Sequence, residues 1–233
     1  MSDASPTVSL LKSLPYIGAL PESALKLLLD KSQVVGFKSG DVIFRKGDPG
    51  DVLLIVLRGR IKIFNTTTAA RELVLNFLGP GDVTGEVSVL AGGERMADAV
   101  ATEATGVLKL QRRDVLPALT ASPEAMLVII QQLCHKLRAA GEIAAESQLT
   151  MEQRCASGLL RLARQYGQPT TDGILINLTV PQRDLGAYFG LSRENTSRQL
   201  AAMKQEGIIR MGGGRIVIKD MTAMEALALK EQS

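Results

Sequence analysis

The segment 182–206, which reads QRDLGAYFGLSRENTSRQLAAMKQE, has the pattern of two helices joined by a tight turn. Thr179, Pro181 and Gln182 predict the start of the first helix, with Thr179 as the N-cap and Gln182 at the third helical position. Gly190 predicts the break after that helix, because glycine readily adopts a positive φ. Ser192 predicts the N-cap of the second helix. We therefore expect a helix-turn-helix, an arrangement in which the second helix can enter the major groove of DNA.

The predicted second helix has two different faces. Spacing places Thr196, Leu200 and Met203 on one face, which we expect to pack inward. The opposite face carries two guanidinium groups, a carboxylate and a hydroxyl, from Arg193, Glu194, Ser197 and Arg198. Arg pairs with guanine, Glu accepts a hydrogen bond from cytosine, and Ser can contact a base or a phosphate. A solvated charged face on an ordinary helix is the alternative, and the residues that follow favour DNA.

The residues after the second helix predict a β-hairpin. Gly207 ends the helix, and residues 208–211 and 215–219 form two short strands joined by three glycines. Such a hairpin after a helix-turn-helix is typical of a wing, on which Arg210, Arg215 and Lys219 could meet phosphates. Residues 1–149 are electrically balanced, because they hold 16 of the 27 Lys and Arg and 16 of the 24 Asp and Glu. The whole net charge of +3 therefore lies in residues 150–233, which contain this hairpin.

The earlier part of the chain has a different character. Leucines in residues 10–32 predict short helices. Between residues 34 and 110, short β-rich runs are separated by glycine turns, and these runs read VVGF, DVIF, VLLIVL, IKIF, LVLNFL and VLKL. Several short strands at this spacing favour a barrel or a double-sheet roll.

A long helix is predicted between these two regions. Ser122, Pro123 and Glu124 form a helix start, with Ser as the N-cap and Pro as the first helical residue, and no breaker follows until about residue 147. A narrow seam runs along this helix at alternating spacings of three and four, through Leu127, Ile130, Cys134, Leu137, Gly141, Ala144 and Gln148. This seam predicts a coiled coil between two copies of the chain. A single core helix is the alternative, and Cys134 either faces its symmetry mate or is a small buried hydrophobe.

Composition argues against several other classes of protein. The longest apolar run, residues 52–57, is far shorter than the roughly 18 residues that span a membrane, and the first residues have no basic start followed by an apolar core. We therefore expect a cytoplasmic protein that has no membrane partner. Cys134 and Cys155 match no metal-binding spacing, and His135 is the one histidine. A zinc site or a Ser-His-Asp triad is hard to assemble from this set, so we expect no enzyme.

In this order, the parts resemble the CRP/FNR family of bacterial transcription regulators from about residue 15 to residue 219. The resemblance rests on the long helix and on the segments SGDVIFRKGDPGDVLLIVLRGRIKIF, GPGDVTGEVSVLAGGERMADAVA and GLSRENTSR. It implies an α+β fold in three parts. These are a cyclic-nucleotide-binding β-roll of the double-sheet jelly-roll type (1–121), a dimerisation helix (122–149) and a winged helix-turn-helix (150–233). It also implies a homodimer with RNA polymerase as a partner.

The resemblance implies cAMP or cGMP as the effector, held by Gly85, Glu86, Val87, Ser88, Arg95 and Met96. Glu86 can accept a hydrogen bond from the ribose 2′-OH, and Arg95 can donate two to the cyclic phosphate. Two departures stand against this. Met96 takes the place of a Ser or Thr that nucleotide-binding members carry, and Ala140 and Gly141 stand where a well-known member has hydroxyls facing the purine. A vestigial roll, in which Glu86 and Arg95 form a salt bridge and bind no nucleotide, is therefore the alternative.

The resemblance also implies a DNA target, and it brings in family members that sense oxygen or bind haem. Glu194 and Arg198 imply palindromic double-stranded DNA with half-sites built around TGA. Oxygen-sensing members use a cysteine cluster, mostly near the N-terminus, and haem-sensing members need axial ligands in the roll. Residues 1–133 hold no cysteine or histidine, so we expect no iron–sulfur cluster, haem or metal. A regulatory subunit of an enzyme or channel also carries the roll, but it has no reason to end in a recognition helix and a wing.

Overall fold

The computed structural model of the protein describes residues 6–14, 16–68 and 70–229. Residues 1–5, on which the expectation of no secretory signal partly rests, lie outside these ranges. The chain divides into two compact units. The first unit is made of Met1–Asn65 and Leu75–Gly141, and the second of Thr66–Val74 and Glu142–Ser233.

The roll predicted from the glycine-separated strands forms in residues 33–111 and is flanked by short helices. In chain order the elements are α1 (Val8–Lys12), α2 (Glu22–Asp30), β1 (Gln33–Phe37), β2 (Val42–Phe44), β3 (Val52–Arg58), β4 (Ile61–Thr66), β5 (Glu72–Leu78), β6 (Val83–Thr84), α3 (Glu86–Ala91), β7 (Asp98–Ala101), β8 (Thr105–Gln111) and α4 (Arg112–Thr120). The predicted β-rich runs correspond to β1 to β5 and β8. The very short strand β6 and the alanine-containing strand β7 were not predicted.

Two sheets make up the roll, with the strand orders β1-β8-β3-β6 and β2-β7-β4-β5. Strand β3 is buried on both faces. Leu54 and Val56 belong to a core with Ile61 and Ala99 from the other sheet. The alternate residues Leu53 and Ile55 belong to a second core, with the helices. Because successive side chains on a strand point to opposite faces, one continuous apolar run serves both cores. The double-sheet prediction is confirmed.

The predicted long helix is also confirmed, as α5 (Pro123–Ala145), followed by a single 3₁₀ turn at Glu146–Gln148. The backbone N–H of Ala125 donates to Ser122 Oγ at 3.4 Å, consistent with Ser122 as the N-cap. One face of α5 packs into the first unit, where Ala125 and Ile129 are at most 2% exposed. On the seam, Leu127, Ile130 and Leu137 are 56%, 52% and 74% exposed in the single chain. Cys134, Gly141 and Ala144 are exposed as well, and Gln148 lies beyond α5 in the 3₁₀ turn.

The second unit is a helix-turn-helix built onto a four-stranded sheet. Its elements are α6 (Met151–Tyr166), β9 (Gly167–Thr170), β10 (Gly173–Ile176), α7 (Gln182–Phe189), α8 (Arg193–Gln205), β11 (Ile209–Gly212), β12 (Arg215–Ile218) and α9 (Met221–Leu229). The strand order β11-β12-β10-β9 joins the wing hairpin to the preceding strands. The two helices and the wing confirm the sequence prediction, which placed residues 150–233 in this domain but did not predict the individual elements α6, β9 and β10.

The predicted N-cap of α7 was wrong. The helix begins at Gln182, with Pro181 in the N-cap position and no side-chain cap, so Thr179 lies two residues before it. The backbone at Pro181 is extended, with ψ at 145°. Leu178 and Val180 are both buried, and this alternation holds residues 178–180 against the core in an extended conformation that a helix start at Thr179 would break.

Two further observations bear on the classes considered. Among the helices in the described ranges, none is both long enough and apolar enough to cross a membrane. Within the same part of the chain, no group of three or more His, Cys, Asp and Glu side chains is placed to hold a metal ion.

Candidate anion pocket and nucleic-acid interface

Arg95 is a buried cation with part of its hydrogen-bonding capacity unused. Its side chain is 6% exposed, and one terminal nitrogen donates to the carbonyl of Val52 at 2.6 Å. The guanidinium carbon lies 4.5 Å from the centroid of the Phe44 ring. The Nε and Nη1 atoms are buried and have no hydrogen-bond partner. Because an unpaired buried donor is costly, these two nitrogens indicate a place for an anion.

The backbone around Arg95 fixes the position of this group. The Arg95 N–H donates to the carbonyl of Asp48 at 2.8 Å, and the Gly47 N–H donates to the carbonyl of Arg95 at 2.9 Å. Gly85 gives the guanidinium its space, because a Cβ there would collide with Arg95 Nη1 and lie 2.7 Å from the Val52 carbonyl oxygen. Gly85 also has a φ of 87°, a conformation that glycine adopts without strain.

Arg95 and Glu86 line the same cavity, of about 220 Å³, between strands of the roll and α5. Burial lowers the pKa of Arg95, and the carboxylates of Glu86, Asp48 and Asp51 oppose that effect. The guanidinium nevertheless stays charged at neutral pH, because arginine is effectively always protonated in proteins. The cavity therefore offers a cation whose charge is poorly solvated and incompletely paired.

Glu86 is a buried residue, 6% exposed, and its carboxylate has a partner that was not predicted. Lys136 on α5 donates to Glu86 Oε1 at 2.6 Å, and its ammonium lies 5.3 Å from the centroid of the Tyr16 ring. Burial lowers the pKa of Lys136, but the charge and hydrogen bond of Glu86, together with Tyr16, raise that pKa above its usual value. The salt bridge between Glu86 and Arg95, considered from the sequence, is not formed in the described part of the chain.

The other predicted pocket residues have different environments. Val87, Ser88 and Met96 line the cavity with Gly85 and Glu86. The Ser88 hydroxyl donates to the carbonyl of Glu94 at 3.1 Å and so supports the turn that leads to Arg95. Val87 and Met96 are 41% and 65% exposed, at the rim.

Sequence reasoning missed Phe44 and Lys136, which also line the cavity. Lys136 could have been found from its spacing on α5, because it lies seven residues after Ile129 and so on the face that packs into the first unit. No comparable signal identified Phe44, because an aromatic residue in a strand is ordinarily a core residue.

The turn between α7 and α8 is held by contacts from a third helix. Gly190 has a φ of 65°, and Arg154 on α6 donates to the carbonyls of Phe189 and Gly190 at 3.2 and 2.6 Å. These carbonyls end α7, where no intrahelical donor remains for them. Ser192 caps α8 as predicted, because its hydroxyl accepts from the Asn195 N–H at 3.2 Å.

The α7–α8 arrangement leaves one face of α8 open. Thr196, Leu200 and Met203 are at most 2% exposed, as predicted, and the Thr196 hydroxyl donates to the Ser192 carbonyl at 2.9 Å. The outward residues Arg193, Glu194, Ser197 and Arg198 are exposed and lie together on the other face. Two guanidinium groups, a carboxylate and a hydroxyl are thus presented on one rigid helix.

The wing presents further cations beside this helix in the second unit. Arg215 is exposed at the start of β12, next to the glycine turn. Arg210 donates to Asp172 at 2.6 Å, and Lys219 lies 3.8 Å from the same carboxylate. Asp172 therefore offsets part of the charge of these two residues, whereas Arg215 stands at the tip of the hairpin.

Comparison with known proteins gives both units a counterpart. Residues 34–122 match the cyclic nucleotide-binding domain, and residues 153–227 match the Crp-like helix-turn-helix domain. The chain is 33% identical over 219 residues to the "Cyclic AMP receptor protein" of Thermus thermophilus, an alignment that covers 94% of this chain and 98% of that protein. It is 29% identical over 199 residues to a "CRP-like cAMP-activated global transcriptional regulator" of Mycobacterium tuberculosis, covering 85% of this chain and 89% of that protein.

Among solved structures, FixK2 from Bradyrhizobium japonicum has a TM-score of 0.76 with this chain at 22% identity. The match covers 86% of this chain and 99% of FixK2. At this level of identity the likeness concerns the fold, which agrees with the roll, the long helix and the helix-turn-helix described above.

Proposed function

Since this chain belongs to the CRP/FNR family of bacterial transcription regulators, we propose that it is a homodimer whose DNA binding is controlled by cAMP or cGMP. Its named relatives include a transcription regulator activated by cAMP, and the chain carries a Crp-like helix-turn-helix. The chain is accordingly a DNA-binding transcription regulator and not an enzyme. The identity of the effector, the dimer and the DNA sequence are the proposed parts.

The observation that carries the proposed effector is the pair of unpartnered, buried nitrogens of Arg95 in a cavity that also contains Glu86. A cyclic nucleotide would supply a phosphate monoanion for Arg95 and a ribose hydroxyl for Glu86. A guanidinium recognises a phosphate through charge-assisted hydrogen bonds. A carboxylate accepts from a hydroxyl, so these residues fit the two polar groups of the ligand.

The same observation weighs against a vestigial roll. That alternative needs Glu86 and Arg95 to satisfy each other, and instead Glu86 pairs with Lys136 while two Arg95 nitrogens lack partners. A site without a ligand would be expected to relieve such a cost by substitution or by a new ion pair. Met96 offers no hydroxyl to the phosphate, and Ala140 and Gly141 offer none to the purine, so we expect weaker discrimination between adenine and guanine than hydroxyl contacts would give.

The proposed homodimer rests on the seam of α5. Three large apolar residues on this seam, Leu127, Ile130 and Leu137, are more than half exposed in the single chain. They repeat at spacings of three and four, as in a coiled coil. An isologous dimer would bury each of them against its symmetry mate. Cys134 would then lie at the same interface.

A two-fold dimer would present two copies of α8 to DNA, and so we propose a palindrome with half-sites about one helical turn apart. Glu194 and Arg198 are exposed on α8, and their resemblance to the family pattern implies a half-site built around TGA. Because its target is the bacterial chromosome, we place the protein in the cytoplasm, with RNA polymerase as a partner. A regulatory subunit of an enzyme or channel fits less well, since the exposed face of α8 would have no task there.

Substitution of Arg198 is expected to alter DNA specificity, whereas substitution of Arg215 is expected to lower affinity for all sequences. Arg198→Ala should cost about 1–3 kcal/mol on the preferred site and relax the preference at one base pair. Arg215→Ala should weaken every sequence alike and reduce the salt slope by about 1. We expect a smaller change from Lys219→Ala, because Lys219 is near Asp172.

Selection from random DNA, followed by titration of the enriched sites at several salt concentrations, measures these effects. Palindromic enrichment that contains TGA supports the assignment. Enrichment of asymmetric sequences, or none, contradicts it, and so does a uniform loss of affinity in Arg198→Ala with the base preferences intact.

A further inference from the structure

Lys136 connects the long helix with the carboxylate proposed to hold the ribose. Its ammonium lies 2.6 Å from Glu86 Oε1, and the side chains of Lys136 and Glu86 are 49% and 8% exposed. Both residues line the cavity with Arg95. The cavity wall therefore contains two cations and one carboxylate, and that carboxylate is already paired with Lys136.

From this arrangement, which rests on the proposed function, we infer that Lys136 is an internal competitor of the nucleotide for Glu86. A ribose hydroxyl and the Lys136 ammonium both donate hydrogen bonds to the same buried carboxylate. The ammonium forms the stronger interaction with an ionised acceptor. A ligand that engages Glu86 must therefore weaken or displace the Lys136–Glu86 pair, and this lowers the apparent affinity of the cavity.

The pair is more than an exposed surface contact. Exposed ion pairs contribute little, because water solvates both partners well. Glu86 is buried, so water screens its interaction with Lys136 much less than it screens an exposed pair. Glu86 and Tyr16 raise the pKa of Lys136 above its usual value despite the effect of burial, so Lys136 stays charged and the competition is present at neutral pH.

The position of Lys136 on α5 links the cavity to the helix that carries the proposed dimer seam. Lys136 follows the buried face of the helix through Ala125 and Ile129, while Ile130 and Leu137 lie on the exposed seam. Release of Lys136 would remove the ion pair that links α5 to α3. Occupancy of the cavity is thereby sensed by the same helix that carries the proposed dimer seam.

Lys136→Met tests the inference, because methionine keeps most of the apolar stem and removes the charge. In isothermal titration with cAMP and with cGMP, we expect Lys136→Met to lower the Kd of the bound nucleotide about tenfold relative to the wild type. Arg138→Met removes a cation from an exposed position of the same helix, and we expect it to leave the Kd within about twofold. Lys136→Gln, which is also uncharged, serves as a second variant if the methionine variant does not fold.

A double-mutant cycle separates competition for Glu86 from a general change in the cavity. In a Glu86→Gln background there is no carboxylate to compete for, so we expect Lys136→Met to change the Kd by less than about twofold. If the wild type binds neither nucleotide, the proposed effector fails. If the wild type binds and Lys136→Met binds equally or more weakly, the proposed effector stands and the inference about Lys136 is overturned. A gain in affinity that persists in the Glu86→Gln background overturns it as well.

Discussion

Replacing Ile130 and Leu137 with Glu is expected to convert the protein to a monomer and to abolish tight binding to palindromic DNA. Each dimer would lose four apolar contacts along the seam. Because these side chains are already partly covered in the single chain, each contact contributes on the order of 1 kcal/mol to the free energy of dimerisation. The total of about 4 kcal/mol corresponds to roughly a thousandfold in the dimer dissociation constant, and the desolvation of new carboxylates adds to it.

Sedimentation at micromolar protein concentration measures this change, and DNA titration follows its effect on affinity. Gln131→Glu with His135→Glu is the matched control, because it adds two carboxylates to exposed positions of α5 beside the seam. We expect this control to remain dimeric. A wild-type protein that is monomeric at micromolar concentration, or a dimeric Ile130→Glu/Leu137→Glu variant, would show that α5 is not the dimer helix.

The second large effect is expected for Arg95→Ala, which should lower the affinity for cAMP or cGMP by at least about a hundredfold. Two hydrogen bonds to a charged group are together worth roughly 3 kcal/mol or more, and that free energy corresponds to two orders of magnitude in Kd. Arg95→Lys should recover part of the loss, since it restores the charge without the planar fork.

Calorimetric titration measures the Kd, and thermal denaturation of each variant establishes that the roll is folded. Arg113→Ala is the matched control, because the Arg113 side chain is 84% exposed and does not line the cavity. We expect it to bind like the wild type. Equal affinities of folded Arg95→Ala and wild-type protein would remove Arg95 from the site.

The sequence predicted best those elements whose signals are local. Gly190 and Ser192 mark a turn and a cap, and both have the predicted conformation because positive φ and N-capping depend on one or two residues. The inward Thr196 and Leu200 follow from helical periodicity alone. The six predicted strands of the roll are likewise bounded by glycine turns, which punctuate the chain wherever they occur.

Elements that depend on tertiary contacts were missed or misplaced. Strand β6 is two residues long and forms only by pairing with β3, so its own sequence carries almost no signal. Thr179 resembles an N-cap, but burial of Leu178 and Val180 keeps that segment extended. Packing against the core thus overrides a local capping preference.

The pocket contains residues that the sequence identified and one residue that depends on tertiary contacts. Glu86 and Arg95 were identified through their resemblance to a family pattern, and the structure brings both to one cavity. Lys136 is fifty positions away from Glu86 in the chain, so the pair could not be read from adjacent residues. It depends on how α5 packs against the roll, a long-range relation that periodicity indicates only as a buried face.

The central claim, that a cyclic nucleotide controls DNA binding, is tested most directly by one titration. A fluorescent duplex carrying the selected palindrome is titrated with wild-type protein at fixed salt, without nucleotide and with saturating cAMP or cGMP. We predict that one of the two nucleotides lowers the Kd for the palindrome at least about tenfold, a coupling in the usual range for allosteric proteins, and leaves the Kd for unrelated DNA nearly unchanged. Identical Kd values for the palindrome under all three conditions would contradict the account.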